Sequence, residues 1–285
     1  MAVQTNMTLE EGIPYMAEET IYPILLLHGM GFRDFRRINY WGRIPGVLGV
    51  YGAKVFYGNQ DANGSVETNA LQIEMRLKEI LRETGAAKVN IIAHSKGGIE
   101  ARYLISTLKH ADEVASLTTI STPHNGSVTV DHLLKFPKFL VKFGCFLTDI
   151  FFRILGDKNP KTYSSVCSLT TKVANQFNLD NPDSDKVYYQ SYAFVMKNIF
   201  SDGFFWLSWL LVRHYEGESD GLLSPRAVKW GNFRGIYKSN GRRGISHCDE
   251  VDLRRRRFTK KTGDGISDIT EIYLKIYEDL CNMGF

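Results

Sequence analysis

The sequence predicts an α/β fold, with a mostly parallel central sheet flanked by helices across all 285 residues. Three observations predict it. Short apolar or β-branched runs alternate with helical patterns from residue 21 to residue 121, and β-α-β alternation implies parallel strands joined by right-handed crossovers. The run at residues 89–92 stops at Ala93-His94-Ser95-Lys96-Gly97-Gly98 and passes straight into a helical pattern, so strand, sharp turn and helix follow one another without a loop. The composition, 44% hydrophobic and 23% charged, is that of a globular chain long enough for one large core.

Residues 21–27 read as the first core strand, which runs into His28-Gly29-Met30-Gly31. Residues 32–49 are aromatic and basic, with Phe32, Arg33, Phe35, Tyr40, Trp41 and Ile44; they either line a pocket or pack on the sheet as a helix. Residues 53–57 are the next strand. Ser65 then caps a long helix with Glu67 in its first turn, Ala70, Ile73, Leu77, Ile80 and Leu81 on one face, and Gly85 at its end. Beyond Ser95, a helix starting at Gly98 puts Ile99, Tyr103, Leu104 and Leu108 on one face. Residues 114–121 form a buried strand ending in Thr122-Pro123-His124-Asn125-Gly126-Ser127, at the strand end where open α/β sheets bind ligands.

From Val128 the alternation breaks, and residues 128–185 read as a helical insertion. Within it, residues 133–155 place Phe136, Phe139, Leu140, Phe143, Leu147, Ile150, Phe151 and Leu155 at helical spacing, with Lys135, Lys138 and Lys142 on another face. A helix of this pattern ordinarily packs on a core. A basic amphipathic segment this rich in Phe beside the active face suits a lipid–water interface, and it predicts a lid. Residues 169–178 look helical and residues 187–194 form a Tyr-rich strand. Phe204-Phe205-Trp206-Leu207-Ser208-Trp209-Leu210-Leu211 predicts a second wall of the cleft, and residues 267–280 a closing helix.

The chemistry centres on Ser95. Strand, turn with Ser at its apex, and helix is the nucleophile elbow, which needs small residues two positions either side of the Ser. Ala93 and Gly97 supply them. A Ser that merely caps a helix gives the same local pattern, but the strand before it and the helix after it favour a nucleophile. Gly29 and Gly31 let the backbone bend so that the Met30 N–H enters the site; with the Lys96 N–H at the helix start, these are the two candidate oxyanion donors. Asp220, in the turn Glu216-Gly217-Glu218-Ser219-Asp220-Gly221, is the candidate acid, with Glu218 in reserve. His247 is the candidate base; His124 stands too early in the order Ser, acid, His. His28 reads as a structural residue of its loop. Candidate substrate-binding residues are Phe32, Trp41, Phe143, Phe205 and Trp206.

A net charge of +4 gives no reason to expect nucleic acid as a partner. The one basic cluster, Arg254 to Arg257 with Lys260-Lys261, reads as a solvated face, with a phosphate- or membrane-facing patch as the lesser alternative. Cys145, Cys167, Cys248 and Cys281 form no CxxC pair. Residues 1–20 lack a basic segment followed by an apolar run, so the expectation is a cytoplasmic protein as written, or a secreted one if a leader has been removed. The longest uncharged apolar stretch, residues 203–212, is too short for a transmembrane helix.

Taken in order, His28-Gly29-Met30-Gly31, the Ser95 elbow, Thr122-Pro123-His124-Asn125-Gly126-Ser127, Asp220-Gly221-Leu222-Leu223 and His247 followed by Asp249-Glu250-Val251 resemble the bacterial true lipases, the triacylglycerol lipase family of the α/β-hydrolase superfamily. The resemblance covers nearly the whole chain. It implies an α/β-hydrolase fold in one domain, residues 1–285, with residues 128–185 as a helical lid insertion. It implies a carboxylic ester hydrolase that acts on acylglycerols through a Ser-His-Asp triad and an acyl-enzyme, and needs no cofactor for the chemistry. Many relatives hold a structural calcium near the His loop; Asp249 matches one ligand and Asp202 is available as a second. Lys96 departs from the family, standing where Met, Gln or His is commoner and adding a cation beside the oxyanion hole. The zinc-binding insert of larger relatives is not evident. A short-chain or polyester-active carboxylesterase, an acyltransferase using the same triad, and a non-catalytic lipid-binding module on the same fold stay open as alternatives.

Overall fold

Six strands form one sheet in the order β2-β1-β3-β4-β5-β6, every adjacent pair parallel. They are β1 (Ile24–Leu27), β2 (Val55–Tyr57), β3 (Val89–His94), β4 (Val114–Ile120), β5 (Tyr188–Phe194) and β6 (Asn232–Tyr237). The computed structural model describes residues 20–31, 39–258 and 265–285. β1, β3 and β4 are buried along their whole length, as the near-continuous apolar runs of a parallel sheet covered on both faces must be. The first strand starts at Ile24 rather than Ile21, because Pro23 has no N–H to give the ladder.

The alternation of side chains along each strand divides the core in two. Ile24, Leu26, Ile92, Ile120, Tyr192 and Phe194 face α1 (Ile44–Val50) and α10 (Thr270–Asn282), which contribute Ile44, Leu48, Tyr273 and Ile276. Leu25, Leu27, Ile91, Ala93 and Leu117 face α2 (Val66–Thr84) and α3 (Lys96–Ser106), which contribute Ile73, Leu77, Leu104 and Ile105. The limits of α2 follow from its ends: the Ser65 hydroxyl accepts from the Thr68 N–H, and Gly85 closes it at φ +70°.

Between β4 and β5 lie α4 (Val128–Leu133), α5 (Lys138–Ile154), α6 (Thr162–Ser168) and α7 (Thr171–Asp180). The single helix expected over residues 133–155 is broken by Pro137, which caps α5 and cannot continue α4. α5 has no buried residue. Behind it the chain is tied to the body by two reciprocal carboxylates. Asp157 accepts from the Ala62 and Asn63 N–H groups, and Asp61 from those of Lys158 and Asn159. Between β5 and β6 come a 3-10 turn (Ile199–Ser201), α8 (Trp206–Tyr215) and the short α9 (Pro225–Val228).

Candidate active site

Ser95 sits between β3 and α3 at φ +54° and ψ −130°, a backbone conformation that costs a non-glycine residue on the order of 1–3 kcal/mol. Its hydroxyl makes no helix-capping hydrogen bond. The turn is held by its backbone: the Ser95 N–H donates to the Ile120 carbonyl at 2.9 Å, and the Thr122 hydroxyl donates to the Ser95 carbonyl at 2.8 Å. Ser95 is half-exposed while His94 and Lys96 on either side are buried. Two glycines permit the close approach. A Cβ on Gly29 would lie 2.8 Å from the Ser95 Cβ, and one on Gly97 would lie 2.6 Å from the His28 carbonyl oxygen.

His247 Nδ1 and Asp220 Oδ2 are 2.7 Å apart, and Asp220 is fully buried. The other Asp220 oxygen accepts from the Leu222 N–H at 2.8 Å and the Leu223 N–H at 2.7 Å. Burial pushes the Asp220 carboxyl up, but the His247 ring and these two amides outweigh it and hold the group below the ordinary carboxylate value. An ionised carboxylate only accepts, so it fixes Nδ1 as the N–H side of the imidazole and leaves Nε2 as the basic nitrogen. Ser95 and His247 line one cavity of about 460 Å³, together with Met30, Phe204, Phe205 and Leu222. The Phe205 ring meets the His247 ring edge-on, with centroids 6.3 Å apart.

The Met30 loop is pinned on both sides: the Gly31 N–H donates to Asn63 Oδ1, and the Gly29 N–H to the Tyr40 hydroxyl, each at 3.1 Å. Lys96 is the first residue of α3, one of the four positions whose N–H has no partner within the helix. The Lys96 ammonium does not add a free cation to the site. It is buried against Glu100, whose carboxylate also receives Asn69 Nδ2 at 2.7 Å and Gln60 Nε2 at 3.4 Å.

Other expected positions are placed elsewhere. Trp41 is fully buried in the core, its ring edge-on to Tyr273, and so cannot line the cavity. Phe143 lies on the exposed face of α5, and Trp206 is half-exposed on α8 outside the cavity wall; Phe204 takes the wall position beside Phe205. Phe32 lies outside the described residues. Glu218 is away from the site, ion-paired with Lys238 at 2.9 Å. His124 is buried against Trp230 and Thr119. His28 Nδ1 and Nε2 lie 2.9 and 3.0 Å from the Gly29 and Gln60 carbonyl oxygens.

A buried chain not anticipated from sequence joins the Met30 loop to the His247–Asp220 pair. The Tyr40 hydroxyl, which accepts from Gly29, lies 2.6 Å from His94 Nδ1; His94 Nε2 lies 3.1 Å from Glu250 Oε2. Glu250 Oε2 is in turn 3.9 Å from His247 Nδ1, and the His94 and His247 rings lie 4.3 Å apart. Burial lowers His94 well below its ordinary value, helped by His247 and His28; burial, then the Asp220 charge, raises Glu250 well above its own. In both, burial disfavours the charged form. His94, His247 and Glu250 are also the group of three donors that lie within 4.8 Å of one another among the described residues. The signal for Glu250 was its spacing, one helical turn after His247.

Asp202 and Asp249 do come together, on either side of the Ser246 hydroxyl at 2.7 and 2.9 Å. The donors facing them are guanidinium groups. Arg254 forks onto both oxygens of Asp202, and Arg256 Nη2 lies 3.1 Å from Asp249. This set does not fit calcium, which takes six to eight oxygen ligands at about 2.3–2.6 Å.

The family model for palmitoyl protein thioesterase matches residues 23–198. Triacylglycerol lipase 2 of Saccharomyces cerevisiae is 31% identical over 274 residues, covering 89% of this chain and 77% of that protein. The triacylglycerol lipase of Pseudarthrobacter phenanthrenivorans is 39% identical over 121 residues, covering 39% of this chain and only 36% of that protein. Among solved structures, that of Staphylococcus hyicus lipase superposes with a TM-score of 0.67 at 15% identity, over 96% of this chain and 98% of that one, a likeness of fold.

Proposed function

The chain belongs to the α/β-hydrolase superfamily, to the palmitoyl protein thioesterase family by its family model and to the triacylglycerol lipases by its relatives, and from that premise we propose that it is a lipase-type serine ester hydrolase working through Ser95, His247 and Asp220. The observation that carries this reading is the 2.7 Å His247–Asp220 contact in a cavity that Ser95 also lines.

His247 Nε2 takes the proton from the Ser95 hydroxyl as its oxygen attacks the ester carbonyl. Asp220 keeps the ring in the right tautomer and stabilises the imidazolium. The Met30 and Lys96 N–H groups receive the oxyanion, each worth about 3 kcal/mol where such a donor has been removed. His247 then protonates the leaving alcohol, water attacks the acyl-enzyme, and the acid is released. Because Lys96 is neutralised by Glu100, its contribution is its backbone N–H rather than its charge.

The walls are apolar, with Phe204, Phe205, Leu222 and Leu133, and suit an acyl chain. α4 and α6 of the insertion contribute Leu133 and Val166 to the cavity, and α5 beyond them carries exposed Phe139, Phe143, Phe146 and Phe151. This supports an insertion that covers the site in water and meets a lipid surface with α5. Among the described residues no helix is long and apolar enough to cross a membrane. The thioesterase model favours a second reading, a long-chain acyl thioester as substrate, which the same triad cleaves with a thiol as leaving group.

Hydrolysis of p-nitrophenyl esters from acetate to palmitate, alongside a palmitoyl thioester, by wild type and Ser95→Ala tests the reading. Ser95-dependent turnover that extends to long chains and rises on emulsified substrate is the expected result. Turnover confined to short chains makes the protein an esterase, preference for the thioester makes it a thioesterase, and full activity of Ser95→Ala refutes the mechanism.

A further inference from the structure

Of the four consecutive arginines at 254–257, two turn inward. Arg254 Nη2 donates to Asp202 Oδ1 at 2.7 Å, and Nη1 reaches Oδ2, so guanidinium and carboxylate meet fork to fork. Arg256 Nε and Nη2 donate to Asp249 at 3.2 and 3.4 Å. Arg257, by contrast, is 80% exposed. Both aspartates are nearly fully buried. Two carboxylates are thus balanced by two guanidiniums, and the oxygens a cation would share already accept N–H groups. A divalent ion placed there would face both guanidiniums and be repelled by their charge.

The turn that delivers Arg254 is itself held under strain. Asp252 and Arg255, on either side of the segment, adopt φ +54° and +50°. Such residues persist where neighbours over-determine them. Here the neighbour is Arg43, whose Nε and Nη2 hold the Asp252 carboxylate at 2.8 and 2.7 Å and whose backbone N–H donates to it at 2.7 Å.

The clamp acts on two parts of the site. Ser246, between the two aspartates, is the residue before His247, whose N–H donates to the Asp220 carbonyl at 2.9 Å. Asp202 accepts from the Phe204 N–H at 2.9 Å through its side chain and from the Phe205 N–H at 3.2 Å through its carbonyl, and so sets the cavity wall.

We propose that Arg254, with Arg256 beside it, does in this chain the work of a structural divalent cation, clamping Asp202 to Asp249 and positioning the His247 loop. The protein then needs no calcium, and Arg254 is a positioning residue. Its kinetic consequence rests on His247 being the base, while its metal consequence does not.

The test measures thermal unfolding and turnover of a soluble short-chain ester, each in EGTA and in calcium at about 1 mM, the weak end of protein calcium affinities. Wild type is expected to give the same melting temperature and rate in both. Arg254→Gln is expected to lose roughly 10- to 100-fold in kcat with little change in KM, the scale of loss when a group orienting an active site is removed. With the guanidinium gone, calcium is expected to raise the melting temperature of Arg254→Gln, and Arg254→Lys is expected to keep more activity than Arg254→Gln. A wild-type melting temperature that falls in EGTA and recovers with calcium overturns the proposal, as does Arg254→Gln with wild-type kcat. If wild type hydrolyses no ester at all, the function reading fails, and the calcium dependence of unfolding still decides this one.

Discussion

At the scale of single residues, burial and its local partners push two neighbouring carboxyl groups of the candidate site in opposite directions. Asp220 is held below the ordinary carboxylate value because His247 and two amides outweigh its desolvation; Glu250, 3.9 Å from the same ring nitrogen, is raised well above its own by burial and the Asp220 charge. This has a pH signature. Above the ordinary value of 4.5, the unfolded chain has released the Glu250 proton while the folded chain keeps it, so this residue's contribution to stability falls as pH rises towards its folded value. Below 4.5 both states are protonated and the cost vanishes. Glu250→Gln, a neutral isostere, is expected to gain melting temperature relative to wild type as pH rises above 4.5 and to converge with it in acid. A constant difference across that range, followed by circular dichroism, contradicts the assignment.

Ser95, Asp220 and His247 were legible as residues because each sits in a recognisable turn and all follow a known order. The pocket residues were less so. Trp41 and Phe143 are aromatic in suggestive stretches, but the sequence does not say which way a side chain points: Trp41 turns into the core and Phe143 out to solvent. Lys96 read as a cation at the site because its partner Glu100 belongs to the next turn of the same helix, an i to i+4 pairing visible only once the helix is known to begin at Lys96.

At the scale of elements, the alternating half was readable and the insertion only partly. β1 to β4 and α2 carry strong periodicity and clear caps. β6 was missed: Asn232-Phe233-Arg234-Gly235-Ile236-Tyr237 is a partly exposed edge strand with a glycine inside it, so neither alternation nor a continuous apolar run marks it. α6 and α8 are not legible as helices, the first for lack of an apolar stripe and the second because apolar residues run almost without a break. α5 is legible in the sequence, though not its start at Lys138 after the Pro137 cap. With nothing buried, α5 adds little to stability and is free to serve an interface. Phe139, Phe143 and Phe146 replaced together by Ser are expected to leave unfolding within about 0.5 kcal/mol of wild type, as exposed substitutions do. Turnover of a soluble short-chain ester should be unchanged, while turnover of emulsified long-chain ester falls about tenfold or more with the lost apolar contact. Equal loss on both substrates would make α5 part of the core rather than of a lipid contact.

At the scale of the whole molecule, the parallel sheet brings together candidate site residues 217 positions apart, Met30 after β1 and His247 after β6. The carboxyl ends of β1 and β3 present the candidate oxyanion donors and Ser95, and the segments after β5 and β6 bring Asp220 and His247 to the same edge. The order of the motifs along the chain was enough to anticipate that convergence. The inward turn of Arg254 and Arg256 was not, since four arginines in a row carry no sign of which of them meet buried carboxylates.

The central claim is that Ser95 is a nucleophile made reactive by His247 and Asp220. The most direct measurement is labelling with a fluorophosphonate probe, followed by peptide mapping, in wild type, Ser95→Ala and His247→Ala. A single adduct on the peptide carrying Ser95, absent in Ser95→Ala and formed at least about a thousandfold more slowly in His247→Ala, is the predicted result. An adduct on another residue, or undiminished labelling without His247, would contradict the account.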